Sequence, residues 1–225
     1  MIRLVVFDID GTLIRTGGAG VAAFTRTGEE AFGIRNGTGH MKFAGRTDTS
    51  LVREFFTGHG IEASPGHFAR FFAHYLPVLE DLLGRHEGAV CAGVTAFIDG
   101  LRALPVPPRI GLLTGNIRRG AEIKLRHYGL WDAFAMGAFG DDNECRNELA
   151  AVALERGRGL LGPALRSEEM LVVGDTPHDV ACGRAVGAKV LAVSTGGATH
   201  EELAGTQPDW LVTDLTRISA TEFAR

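Results

Sequence analysis

The 225-residue chain has only three cysteines, Cys91, Cys145 and Cys182, far apart and without a CxxC pair. An odd, scattered set argues against a disulfide framework and a thiolate zinc site, and reads instead as small packing residues in a reducing compartment. No apolar stretch approaches the length that spans a bilayer. The first residues enter a strand without the apolar run and cleavage site of a secretory leader, so a cytoplasmic location with no membrane partner is expected. Positive charge is not in excess either. The 23 basic and 27 acidic side chains are interspersed and leave a formal charge of −4, which excludes the basic stripe that a nucleic acid requires. None of the eight histidines has HExxH or paired spacing, and no repeat or low-complexity tract interrupts the chain. What remains is a sequence 45% hydrophobic, enough for a real core, and the expectation of a small-molecule partner.

Short apolar runs rich in valine, isoleucine and leucine recur along the chain: Ile2 to Phe7, Arg109 to Leu113, Met170 to Gly174, Lys189 to Val193 and Asp209 to Val212, with a weaker run from Phe134 to Phe139. Their hydrophobicity is continuous rather than alternating. That predicts strands covered on both faces, hence a doubly wound, Rossmann-like α/β core with a parallel sheet. The stretch from Arg15 to about Gly88 lacks such a run. There Phe68, Phe71, Phe72, Tyr75, Leu76, Leu79, Leu82 and Leu83 follow helical spacing after a start signal at Ser64-Pro65, and further helices are expected near residues 20–32 and 48–58. A helical insertion therefore follows the first strand.

Asp8 and Asp10 are two residues apart at the end of the first strand, so their side chains share a face. Taken alone, Asp-x-Asp reads equally well as a solvated turn. Two carboxylates held close demand either a cation or a shared proton. A second acidic pair, Asp175 and Asp179 in VVGDTPHDV, stands at the end of another buried run, with Pro177 suited to a first helical turn. Together the four aspartates make an oxygen-rich set for a hard divalent cation, Mg²⁺ first among them. A third strand end, GLLTGN, offers the Thr114 hydroxyl and backbone amides made accessible by Gly115, groups suited to phosphate oxygens; a plain strand-to-helix turn is the alternative.

With these residues in view, the chain resembles the haloacid dehalogenase-like hydrolase superfamily over nearly its whole length, close to the phosphoglycolate phosphatase-like branch. The motifs are Asp8-Ile9-Asp10-Gly11-Thr12, Thr114-Gly115-Asn116, a basic residue at Arg146, and Gly174-Asp175 with Asp179. The resemblance implies a Mg²⁺-dependent phosphatase for a small phosphorylated metabolite, phosphoglycolate- or sugar-phosphate-like. In it Asp8 is the nucleophile that forms an aspartyl-phosphate, and Asp10 protonates the leaving alcohol and then activates water. Asp8, the Asp10 carbonyl and Asp175 would hold the metal with Asp179 in support, while Thr114, Gly115 and Asn116 would hold phosphate. The family usually has lysine at the third motif, but no lysine lies between Gly140 and Gly162, so Arg146 takes the charge-neutralising place.

By the same resemblance, residues 1–14 and 89–225 form the core domain and residues 15–88 an inserted helical cap. Its joints would lie near 14–19 and 85–92, and Arg46 would reach an anionic group of the substrate, unless it is only an exposed loop arginine. A phosphomutase of the same architecture is the alternative; a metal-independent dehalogenase and a non-catalytic binding protein fit less well. The oligomeric state, monomer or homodimer, is left open by the sequence.

Overall fold

A computed structural model describes residues 1–224. In chain order the regular elements are β1 (Leu4–Phe7), β2 (Ile14–Arg15), α1 (Ala19–Phe32), α2 (Asp48–Gly58), α3 (Pro65–Leu83), β3 (Ala89–Val90), α4 (Val94–Arg102), β4 (Arg109–Leu113), α5 (Arg118–His127), β5 (Met136–Ala138), α6 (Arg146–Leu161), β6 (Met170–Gly174), α7 (Pro177–Ala185), β7 (Lys189–Val193), α8 (His200–Gly205) and β8 (Trp210–Val212). Six strands form one parallel sheet in the order β5-β4-β1-β6-β7-β8.

Period-two geometry explains why the strands read as unbroken apolar runs. On β1, Val5 and Phe7 join one core with Phe97, Ile98 and Leu125 from α4 and α5, whereas Leu4 and Val6 join another with Leu149, Ala153 and Val180 from α6 and α7. Both faces are covered, so no position is left for a polar side chain. The sheet centre is where the chain changes direction, with β4 on one side of β1 and β6 on the other. In such sheets the crevice beyond the carboxyl ends of the central strands is the natural ligand position.

Helices α1, α2 and α3 enclose an aromatic core of their own. Phe71, Tyr75 and Leu79, spaced by four, are buried in it, and the ring of Phe24 from α1 lies 4.7 Å from that of Phe71. The expected start of α3 is observed: Ser64 Oγ accepts the His67 N–H at 3.4 Å, with Pro65 in the first turn. The connectors into and out of this unit pair as an antiparallel two-stranded ribbon, Ile14 against Val90 and Arg15 against Ala89. Pairs two residues long carry no readable periodicity, which is why the sequence shows only glycines there.

The cysteines are free; Cys91 and Cys182 are buried, but Cys145 is exposed just before α6, so the packing role holds for two of the three. No helix among the described residues is long and apolar enough to cross a membrane.

Candidate active site

Asp8 continues the β1 ladder by donating its N–H to Val173 O at 2.9 Å, and the chain then turns at Gly11. Gly11 has φ +90°, and a Cβ there would strike the Asp175 carboxylate and the Gly196 backbone, so this turn both needs glycine and brings two strand ends together. Thr12 Oγ1 then donates to Asp175 Oδ1 at 2.9 Å, and Gly197 N–H donates to Oδ2 at 3.2 Å.

Asp179 reaches the same place because α7 opens with a capping box. Thr176 N–H and its hydroxyl both donate to Asp179 Oδ2, at 3.0 and 2.7 Å. The carboxylates of Asp8, Asp175 and Asp179 each place one oxygen within 4.8 Å of the others, all three buried. Burial, together with mutual repulsion from Asp179 and Asp10, outweighs the pull of Arg146 and pushes Asp8 up to about 6. Burial and the neighbouring Asp179 and Asp8 push Asp175 up to about 8. Three ionised carboxylates with one guanidinium beside them would leave two buried negative charges uncompensated. An all-oxygen donor set of this size suits a hard divalent ion.

The cation set among these three carboxylates is Arg146, at the first position of α6, 8% exposed. Its Nη2 lies 3.0 Å from Asp8 Oδ1 and also bonds Asp179 Oδ1. Burial disfavours its charge, but Asp179 and Asp8 more than offset that and hold it further protonated. Its Nε is sealed from solvent with no partner.

Asp10 behaves differently. Its Oδ2 accepts from Lys124 Nζ and from Asn116 Nδ2, both at 2.7 Å, and Lys124 Nζ also donates to Asn116 Oδ1 at 2.6 Å. The two aspartates that stand together in sequence therefore answer to different cations, Asp8 to Arg146 and Asp10 to Lys124. Sequence reasoning missed Lys124. The available signal was its place on α5: it lies three and four residues after Ala121 and Gly120 on the buried face of a helix, and it is one of only three lysines among 23 basic residues.

Thr114 is fully buried, and its hydroxyl accepts from Asn116 N–H at 3.3 Å and Asn116 Nδ2 at 3.0 Å. It thus orients Asn116, while Gly115 and Asn116 border the cavity. Arg46 is placed otherwise than expected. It borders the cavity, with its carbonyl against Gly115, but its guanidinium ion-pairs with Glu54 on α2 and donates weakly to Ser50 O.

The helical unit closes over these groups. Asp48 N–H donates to Gly115 O at 2.7 Å, Ile117 N–H donates to Asp48 Oδ2 at 2.9 Å, and the Thr47 and Thr49 hydroxyls donate to Glu144 O and Gly140 O at 3.0 and 2.7 Å. A Cβ on Gly115 would run into the Arg46 carbonyl, so this contact requires glycine. Burial pushes Asp48 up to about 6, with Lys124 opposing. Between the unit and the strand ends lies a cavity of about 240 Å³ bordered by Asp8, Asp10, Asn116, Lys124, Arg146 and Asp175.

The sequence profile of a haloacid dehalogenase-like hydrolase family matches residues 5–193. Phosphoglycolate phosphatase of Rhodospirillum rubrum is 28% identical over 205 residues, covering 87% of this chain and 81% of that protein. Pyrophosphatase PpaX of Bacillus cereus is 25% identical over 225 residues, covering 96% and 94%. Among solved structures, CbbY from Rhodobacter sphaeroides in complex with phosphate superposes with a TM-score of 0.73 at 20% identity, covering 96% of this chain and 95% of that one.

Proposed function

Because the chain belongs to the haloacid dehalogenase-like hydrolase family and is a hydrolase of phosphate monoesters, we propose that it is a Mg²⁺-dependent phosphatase of small organic phosphates working through an aspartyl-phosphate on Asp8. One observation carries this reading. Asp8 and Asp10, two residues apart after β1, are held by separate cations at one cavity. The separate partners let the two carboxylates take different roles, one as nucleophile and the other as carrier of a proton during turnover.

Asp8, Asp175 and Asp179, with the Asp10 carbonyl, are the residues that would hold Mg²⁺. When bound, the ion supplies positive charge that keeps these carboxylates ionised and offsets charge on the transferring phosphoryl group. Asp8 attacks phosphorus, the P–O bond to the leaving group breaks, and the proton on Asp10 passes to the departing alkoxide. A water then attacks the aspartyl-phosphate, gives a proton to Asp10, and releases Asp8 and inorganic phosphate. Arg146 bonds one Asp8 oxygen, which fixes the orientation of the carboxylate and counters the incoming negative charge. Asn116 and Lys124 keep the Asp10 carboxylate at the cavity wall. The docked helical unit, acting as a cap, excludes bulk water from the acyl-phosphate.

The test is phosphate release from p-nitrophenyl phosphate with Mg²⁺ and with EDTA. Release should need the metal, and Asp8→Asn should abolish it with the circular dichroism spectrum unchanged. Metal-independent release, or turnover by Asp8→Asn, would end the proposal.

A further inference from the structure

The wall that the helical unit turns toward the cavity differs in kind from the strand ends below it. Its larger apolar side chains are Val21, Phe24, Phe43 and Leu51. Phe24 and Leu51 are buried, whereas Val21, at the cavity edge, is 43% exposed. Two hydroxyls complete the wall, Thr16 and Tyr75. Neither is hydrogen-bonded within the described residues, and neither is sealed off, since Arg146 Nε is the one sealed side-chain polar atom without a partner. Burial holds the Tyr75 hydroxyl well above its ordinary value, so it is a neutral donor.

This wall offers no unpaired cation among the described residues. Asp48 is acidic, and Arg46, among the described residues the only cationic one bordering the cavity from this side, gives its guanidinium to Glu54. The cations on the core side are engaged as well, Arg146 by Asp8 and Asp179 and Lys124 by Asp10. A substrate bearing a carboxylate or a second phosphate would have to desolvate that group opposite Phe24 and Leu51, close to Asp48, with no cation to receive it; that is costly. A carbon chain or ring would instead cover Val21 and gain from its own burial. The cavity of about 240 Å³ is below the roughly 300–1,000 Å³ of drug-sized sites and limits the ester to a few carbons beyond the phosphate.

We propose that, within the phosphatase reading on which this rests, the substrate is a small phosphate monoester whose leaving group carries no second anion and packs apolar carbon against Val21, Phe24, Phe43 and Leu51. A neutral hydroxyl on that group is compatible, with Thr16 or Tyr75 as its partner. This separates the chain from relatives whose names specify phosphoglycolate or pyrophosphate.

The experiment compares kcat/KM for methyl, ethyl and propyl phosphate with phosphoglycolate and pyrophosphate, with p-nitrophenyl phosphate as the control for phosphatase activity. Each added methylene should raise kcat/KM about fourfold, and propyl phosphate should exceed phosphoglycolate at least tenfold. Leu51→Arg should narrow or reverse that ratio by placing a cation on the wall, and Arg46→Gln should not move it. Preference for phosphoglycolate or pyrophosphate while p-nitrophenyl phosphate is turned over would overturn this inference and leave the phosphatase reading standing. So would a loss confined to phosphoglycolate in Arg46→Gln. Failure to hydrolyse any monoester would remove both.

Discussion

The Lys124 ammonium stands 2.7 Å from the Asp10 carboxylate, joining a buried residue of α5 to the turn after β1 across 114 positions of sequence. Lys124 is 4% exposed and also reaches Asn116, so it fixes Asp10 against the cavity wall instead of contributing an ordinary surface ion pair.

Replacing Lys124 with methionine keeps the packed stem and removes the charge. If Asp10 gives its proton to the leaving group, turnover of an alkyl phosphate should fall about 100-fold, within the range for general acid catalysis. Turnover of p-nitrophenyl phosphate, whose leaving group departs without a proton, should fall less than tenfold. Steady-state kinetics on the two substrates measure the ratio, and equal losses would place the role of Lys124 outside proton transfer.

Arg146 carries a different expectation, because it is the one cation among three buried carboxylates. Arg146→Ala should cost roughly 3–5 kcal/mol of stability without divalent metal, with part of the loss restored by millimolar Mg²⁺, and should remove most activity. Arg146→Lys should keep far more of both. Thermal unfolding with and without Mg²⁺, paired with phosphate release, tests this; identical behaviour of the two variants would show that charge at this position is not what matters.

Asp48 sets a pH dependence whose sign follows from its environment. Its ordinary value of 3.8 is raised to about 6 in the fold. As pH rises from 4 to 6 the unfolded chain therefore loses this proton first, and the native state is penalised. Below pH 4 the penalty is absent, and above about 6.5 it is complete. Asp48→Asn still accepts from Ile117 N–H and never ionises. Relative to wild type it should gain about 1–2 kcal/mol between pH 4 and 6.5, the figure being lowered for the partial access of Asp48 along the cavity wall. Denaturant unfolding of both proteins across that range would show it, and a constant difference would contradict the assignment.

Gly115 tests the seating of the helical unit. Gly115→Ala drives a methyl into the Arg46 carbonyl and the Thr47 Cα, so KM should rise about tenfold or more while the core sheet remains intact, and proteolysis at the connectors near residues 14–19 and 85–92 should accelerate. An unaltered KM would mean that the Arg46–Thr47 segment is not held against Gly115 in solution.

The parallel sheet and most of its strands were legible in the sequence. Arg109 to Leu113, Met170 to Gly174 and Lys189 to Val193 match β4, β6 and β7 residue for residue, because a strand buried on both faces must be apolar at every position. Helix α3 was legible for a related reason, since its capping serine, first-turn proline and four-residue spacing are all local. Asp8 and Asp10 alone read equally well as a turn; they stood out once Asp175 and Asp179 formed a second acidic pair at the end of another buried run.

Tertiary structure decided which charges meet. Arg146 was expected near the acids through resemblance, but its double contact with Asp8 and Asp179 depends on how α6 and α7 pack on the sheet. Lys124 lay unmarked inside an ordinary helix. The division of the Asp8-Ile9-Asp10 pair between two cations is fixed by elements more than 100 residues away in sequence. Arg46 turned to Glu54, six residues into α2, and left no unpaired cation on that side of the cavity among the described residues. Burial, periodicity and capping are short-range and leave a trace in consecutive residues. The pairing of a desolvated charge is settled only when the fold brings a partner within about 3 Å, and nothing local in the sequence records that distance.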